Sequence, residues 1–423
     1  MTTAATALPE LETPMVPTRH REAEARGRRI GKPLRVVTRN FDAPDEEMFA
    51  RIGRALTEED VPAARLAEAM RMRAGDPRRV THAQFRTALS DGIEAVPDAP
   101  AALREFMELV SEPPAWVDWD RIEHAGRVTQ RLGATAGDVL LQLSLMGGYR
   151  FGGPTDLLVA TGGLSGPDTL RRLAETQHWS LSIVQPGALR PGNEGWRLTV
   201  HVRVMHALVN AGYLSRPGAW DVERWGLPIN QADQAGTLGL FDGTLLVGSR
   251  ALGVPISRRD ADAVMHMWKY VGWLMGVHED FLTEDERERH TWNLHILLAA
   301  PGQTQAGRDL VQAILDAQYE REYEPLFGII DVPARLRGLY ERERILSMLT
   351  VFLGIRSMRE LGQPVRPPWA FGLRLVTNTL LYRVYGRLPG GSDRLVRRGL
   401  AVQQRIQRSY LASRPADVGQ LPT

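Results

Sequence analysis

A chain of 423 residues, 43% apolar and 24% charged, can bury a large core, and its length alone suggests two or three domains. It contains no cysteine, which excludes disulfides, cysteine-held metal clusters and thiolate-ligated iron. Its formal net charge of +2 gives no nucleic-acid footprint.

The first 35 residues are polar and charged with no apolar stretch like the core of a signal peptide, and Arg28-Arg29 is followed by Ile30-Gly31-Lys32-Pro33 where a twin-arginine signal needs an apolar run. Residues 1–35 therefore read as a flexible segment, 36–412 as one all-helical domain and 413–423 as a loose tail, with a cytoplasmic location expected. Helical periodicity covers Glu46 to Leu56, Pro62 to Met72, Ala83 to Leu89, Ala101 to Val110 and Arg121 to Gly148. It continues over Leu170 to Ile183, Leu198 to Tyr213, Asp260 to Val277 and Glu284 to Leu298. Arg308 to Tyr319, Val332 to Gly354, Leu373 to Tyr385 and Arg394 to Leu411 complete the set. Only Thr244 to Arg250 carries a strand-like alternation, and no fixed-period repeat marks a solenoid. The best membrane-span candidate, Ile345 to Ile355, holds eleven mostly apolar residues between Arg344 and Arg356. A span needs about 20 residues, so this is a buried helix. Nine arginines between positions 366 and 410 are opposed only by Asp393. A solvated helix face is the first reading of them, and peripheral contact with an acidic membrane surface or a partner is the second.

Chemistry concentrates in the middle of the chain. In Leu198-Thr199-Val200-His201-Val202-Arg203-Val204-Met205-His206-Ala207-Leu208-Val209, the apolar residues Leu198, Val202, Met205 and Val209 recur at helical spacing. His206 lies beside Val202 and Val209 on that face, with Arg203 one turn before it. Taken alone, a histidine so placed is more often a satisfied core residue than a ligand. A buried neutral imidazole is nonetheless how many proteins hold haem iron. Upstream, a helix opened by Gly166-Pro167 carries Arg172 and Thr176 four residues apart on one side. The Pro/Gly-rich run Gln185 to Arg197 connects the two helices as a turn-rich loop. No His-Glu-x-x-His zinc motif, Gly-x-Ser-x-Gly elbow or phosphate-binding loop is present, and His201/His206 and His290/His295 diverge around their helices. Gly147-Gly148 and Gly162-Gly163 read as helix ends and tight packing.

The motifs Arg172-x-x-x-Thr176, Gly195-Trp196-Arg197 and Arg203-Val204-Met205-His206-Ala207 resemble the latex-clearing-protein or rubber-oxygenase family, whose catalytic domain recurs in a mycophenolic-acid-pathway oxygenase. Pro113-Pro114-Ala115-Trp116-Val117-Asp118-Trp119-Asp120, Trp225-Gly226-Leu227-Pro228-Ile229-Asn230-Gln231 and the segment Trp268 to Val277 are similar to further family segments in the same order. The resemblance implies an all-α, globin-like helical core binding haem b, with additional surrounding helices. It implies His206 as the iron ligand, Arg203 as a partner of a haem propionate or a support for its helix, and Arg172 and Thr176 as distal hydrogen-bonding groups. In rubber-cleaving members the residue before the threonine is a lysine, whereas here it is Glu175, a carboxylate able to accept hydrogen bonds or relay a proton. A second acidic family position falls at Asp156. The lysine-to-Glu175 difference argues against rubber itself as substrate. The expectation is a haem b-dependent oxygenase using dioxygen on an apolar or unsaturated small molecule, by oxidative C=C cleavage or tailoring of a terpenoid or other secondary metabolite. The alternative is a non-catalytic haem- or ligand-binding helical protein.

Overall fold

The computed structural model describes residues 16–39, 41–162, 169–324 and 331–411, and it is all-α: no strand forms among these residues. Of the first helices, α1 (Glu24–Ile30) falls within the segment expected to be flexible and α2 (Lys32–Thr38) begins inside it and runs past its end. Arg19, only 3% exposed, pairs with Asp233 at 2.6 Å. A side chain at Gly27 would meet Leu297 O at 2.8 Å, so α1 lies close against a later helix. The order here comes from partners more than two hundred residues downstream, which no local pattern announces. Residues 1–15 lie outside the described residues.

The helices α3 (Glu46–Ala55), α4 (Val61–Arg71), α5 (His82–Asp91), α6 (Ala101–Ser111) and α7 (Trp119–Leu132) follow the periodic segments closely. Side-chain caps fix the starts of α3, α5 and α7: Asp45 accepts from Glu47 N, Thr81 and Gln84 form a reciprocal capping box, and Asp118 accepts from Asp120 N and Arg121 N. The helix expected to run from Arg121 to Gly148 is broken at Gly133, whose φ of 54° and ψ of −132° only glycine adopts readily. Beyond it α8 (Ala134–Asp138), a π-helical stretch over Val139–Leu145 and α9 (Met146–Gly148) carry the chain on.

Next come α10 (Pro154–Ala160), α11 (Thr169–Ser182) and α12 (Glu194–Leu214). The expected Gly166-Pro167 helix start lies outside the described residues. The chain then forms α13 (Val222–Trp225), α14 (Gln231–Phe241), α15 (Gly243–Ala251), α16 (Arg258–Leu274), α17 (Glu286–Ala299) and α18 (Gln305–Ala317). It ends with α19 (Ala334–Glu360), α20 (Trp369–Arg383) and α21 (Gly391–Leu411). The strand-like stretch Thr244 to Arg250 is thus helical. Asp242 caps it by accepting from Gly243 N, and Leu245, Leu246, Gly248 and Ser249 are buried together on α15, a cluster that an alternating pattern could not produce.

Three apolar clusters form the core. The largest joins α3 to α7 with α12, α14, α16 and α17; a second joins α11, α18 and α19; a third joins α8, α15 and α20. The antiparallel pair α7 and α16 is tied by His124 Nε2 to Asp260 at 2.8 Å and by Arg131 to Asp260 at 3.0 Å. On the other side of α7, α21 sits so close that a side chain at Gly399 would meet Gln130 O at 2.1 Å. No helix among the described residues is long and apolar enough to cross a membrane.

Candidate functional site

The loop between α11 and α12 folds the two helices back on each other. Trp179 Nε1 donates to Thr199 Oγ1 at 3.0 Å, and Ser182 Oγ donates to Glu194 Oε1 at 3.2 Å. Gly195 makes the tight return, since a Cβ there would lie 2.9 Å from Ile183 Cα. The buried Trp196 anchors the start of α12 by donating to Val110 O at 3.0 Å. The Gly195-Trp196 motif therefore sets where α12 runs relative to α11.

α12 carries apolar residues on more than one side. Its fully buried stripe is Val200, Val204 and Leu208, spaced four apart, not the stripe singled out from the sequence. Leu198, Val202, Met205 and Val209 are half-buried, as is His206 beside them. A helix that is apolar all round gives periodicity little to choose between its faces. His206 Nδ1 is buried without a hydrogen-bond partner. Burial pushes the His206 pKa down to about 4, only partly opposed by the Asp60 carboxylate, so its imidazole is neutral at ordinary pH.

One turn back, Arg203 is buried and forked onto Asp60, Nε to Oδ2 at 2.6 Å and Nη2 to Oδ1 at 2.8 Å. Its Nη1 faces Leu274 O at 3.4 Å and Trp273 O at 3.5 Å. The guanidinium thus ties α12 to α4 and to the end of α16. Glu59, Asp60, Asn210, Gln234 and Met275 line a crevice with Arg203 and His206, of about 10 Å³, the room of one water. Gly276, at φ +77°, packs against the Asp60–Arg203 pair, since a Cβ there would lie 2.2 Å from Asp60 Oδ2.

On α11 the buried acidic residue is Glu175, 6% exposed, gripped by Arg171 Nη1 at 2.8 Å and Arg172 Nη1 at 3.5 Å. Arg172 Nε is buried and makes no hydrogen bond. Thr176 is exposed and its hydroxyl donates to Arg172 O at 3.1 Å, one turn back along its own helix. Asp156 is apart from this group. Its Oδ2 accepts from Gly153 N and from Thr304 Oγ1, each at 3.0 Å, and so secures the start of α10. No hydrogen bond or ion pair joins Arg172, Glu175 or Asp156 to His206 among the described residues.

The other histidines weighed from the sequence have structural partners. His295 Nε2 accepts from Asp45 N at 2.8 Å, His290 lies 3.3 Å from Glu286, and His201 stacks on Phe85 with ring centroids 6.4 Å apart. Asp60, Glu59, Asn210 and Gln234 were not legible as site residues. The run Glu58-Glu59-Asp60 before Val61-Pro62 announces a helix start, and nothing in it points to an arginine 143 positions later.

As a donor set, the region offers one neutral imidazole with an unpartnered Nδ1, beside a crevice lined by Glu59, Asp60, Asn210 and Gln234, and no group of three or more His, Cys, Asp or Glu converges among the described residues. A lone neutral imidazole, with the Asp60 carboxylate beside it committed to Arg203, fits the axial ligand of haem iron better than a multidentate site. The fit is one of donor chemistry and not of volume: the crevice beside His206 has room for about one water, so a macrocycle there requires the half-buried side chains around it to move.

Fold and site together define an all-helical protein built around a central helix with a single candidate metal-binding histidine. Residues 134–388 match the catalytic domain described as "ER-bound oxygenase mpaB/B'/Rubber oxygenase", and the chain belongs to that family. It is similar to the rubber oxygenase of Streptomyces sp. (strain K30), 24% identical over 235 residues. That match covers 54% of this chain and 57% of the relative, so it spans little more than half of that protein's length. Among solved structures, latex clearing protein LCP in its closed state superposes with a TM-score of 0.61 at 19% identity, covering 83% of this chain and 91% of that one. At that identity the likeness speaks for the fold.

Proposed function

We propose that this chain is a haem b-dependent oxygenase that uses dioxygen to oxidise an apolar, unsaturated small molecule. The observation that carries the reading is the His206 imidazole, neutral and without a hydrogen bond at Nδ1, on the central helix of a member of an oxygenase family. His206 would hold the iron through its neutral ring, and Arg203, committed to Asp60, would keep α12 in place beneath it. Bound there, haem would supply the activation of dioxygen.

The protein's own groups would do the rest. Glu175 would offer a carboxylate that accepts hydrogen bonds, with Arg171 and Arg172 fixing its position. The buried Arg172 Nε is a further donor, and the Thr176 hydroxyl is the exposed group of the set. The half-buried Val202, Met205 and Val209 favour an apolar substrate and exclude water from its neighbourhood. Cleavage of a C=C bond to two carbonyl groups would consume one dioxygen with both oxygen atoms retained. Hydroxylation or desaturation, the other outcomes open to such a site, would each need two electrons and two protons from an external electron donor, with water as co-product.

The test is an absorption spectrum of the protein purified with ample haem supply, before and after dithionite. A stoichiometric Soret band that shifts on reduction, and is lost in His206→Ala, is the expected result. Oxygen uptake that depends on unsaturated lipids or terpenoids then separates an enzyme from a haem carrier. A colourless protein that refuses added hemin, or a His206→Ala variant with full haem occupancy, would overturn the assignment.

A further inference from the structure

The face of α20 turned away from the core is apolar along its whole length. Trp369, Leu373, Val376, Leu380 and Val384, spaced three or four apart, are 40%, 54%, 56%, 59% and 61% exposed, while Ala370, Asn378 and Tyr382 face inward. An unbroken row of large apolar side chains in water marks a surface made for another phase or partner.

Its charges are of one sign. Trp369–Arg383 contains no Asp or Glu. Arg374 is turned inward to Asp138 at 2.8 Å and Arg366 is spent on Glu343. Arg383, one turn beyond Leu380, and Arg387 just after the helix are exposed and form no ion pair among the described residues. Trp369 at the other end supplies the amphipathic ring that favours a membrane–water boundary.

We propose that α20 is a peripheral docking face for an anionic lipid bilayer, its apolar row lying in the acyl boundary and Arg383 and Arg387 on lipid headgroups. Charge decides against a second copy as occupant: in a twofold pairing α20 would face itself, and that helix offers no acidic residue to receive Arg383 or Arg387.

Flotation of the full-length protein with vesicles of equal parts phosphatidylcholine and phosphatidylglycerol tests this. The wild type floats with these vesicles, binds pure phosphatidylcholine vesicles weakly, and is released by added salt. Leu373→Ser with Leu380→Ser lowers partitioning by at least about tenfold, and Arg383→Gln with Arg387→Gln lowers it by roughly tenfold on the anionic vesicles only. All four positions are exposed, so far-UV circular dichroism should be unchanged in both variants. Failure of the wild type to float, equal binding to both vesicle types, or full binding by the leucine variant would each overturn the proposal. So would concentration-dependent dimerisation, lost in the leucine variant and unaccompanied by vesicle binding, since it would make a second copy the occupant.

Discussion

Arg203 and Asp60, 143 residues apart, form a two-pronged buried ion pair one helical turn from His206. The pair fixes the height and rotation of α12 against α4, and with them the position of the candidate ligand. Removing one partner of such a pair leaves an uncompensated buried charge, which typically costs about 3–5 kcal/mol. Asp60→Asn is therefore expected to lower unfolding free energy by about 3 kcal/mol in urea denaturation. The double variant Asp60→Asn/Arg203→Met should recover a large part of that loss, because the second change removes the stranded charge.

Glu175 is held by two arginines, so exchanging it for the lysine of rubber-cleaving members is not a local swap. Glu175→Lys would set an ammonium against Arg171 and Arg172 in a site where the native carboxylate is 6% exposed. We expect it to lose about 2–4 kcal/mol of stability, read from the denaturation midpoint. Glu175→Gln, which keeps the shape, should cost less and leave any haem content unchanged. A fall in substrate-dependent oxygen uptake in this variant would place the carboxylate in turnover, while unaltered uptake would leave it a structural clamp.

Helix existence was largely written in the sequence, because apolar periodicity and capping residues such as Asp45, Thr81 and Asp118 are local signals. What escaped were features decided by distant contacts. The Thr244 to Arg250 alternation became helix because Asp242 caps it and Gly248 fits against Val139, where a Cβ would lie 2.6 Å away. The order of Arg19 depends on Asp233, and the helix after Leu132 breaks because Gly133 takes a conformation that periodicity does not encode. At the site, His206 and Arg203 stood out through their motif, while Asp60 did not, since an acidic helix start looks the same whether or not an arginine meets it. The buried side of α12 was misjudged for a related reason: two apolar stripes share that helix, and only its neighbours decide between them.

Glu284 links α7 to α16 and gives a pH signature. It takes hydrogen bonds from Arg121 Nη1 at 2.7 Å and Lys269 Nζ at 3.1 Å, with His266 Nδ1 at 3.2 Å. Burial raises its pKa, but these three partners more than reverse that and hold it at about 2, below the ordinary 4.5. A depressed carboxylate stabilises the fold fully above its unfolded pKa, and the contribution is lost as pH falls from about 4.5 through about 2. Because the group is partly exposed and screened, Glu284→Gln should cost only about 1–2 kcal/mol at neutral pH. The difference between variant and wild type should shrink steadily below pH 4.5 in denaturation curves. A difference that stays constant across that range would remove Glu284 as its source.

Gly276 tests how tightly the turn after α16 is packed against the Asp60–Arg203 pair. Its φ of +77° is strained for any residue with a Cβ, and that Cβ would sit 2.2 Å from Asp60 Oδ2 and 2.8 Å from Arg203 Nε. Gly276→Ala must therefore either twist the turn after α16 or push Asp60 away from Arg203. The backbone strain alone is worth about 1–3 kcal/mol. Displacing the carboxylate adds a cost shared with Asp60→Asn, so the two substitutions should be non-additive. We expect Gly276→Ala to cost about 3–5 kcal/mol in the wild type and about 1–3 kcal/mol in the Asp60→Asn background. Equal costs in both backgrounds would mean that the glycine serves only the turn, and that the ion pair tolerates a side chain beside it.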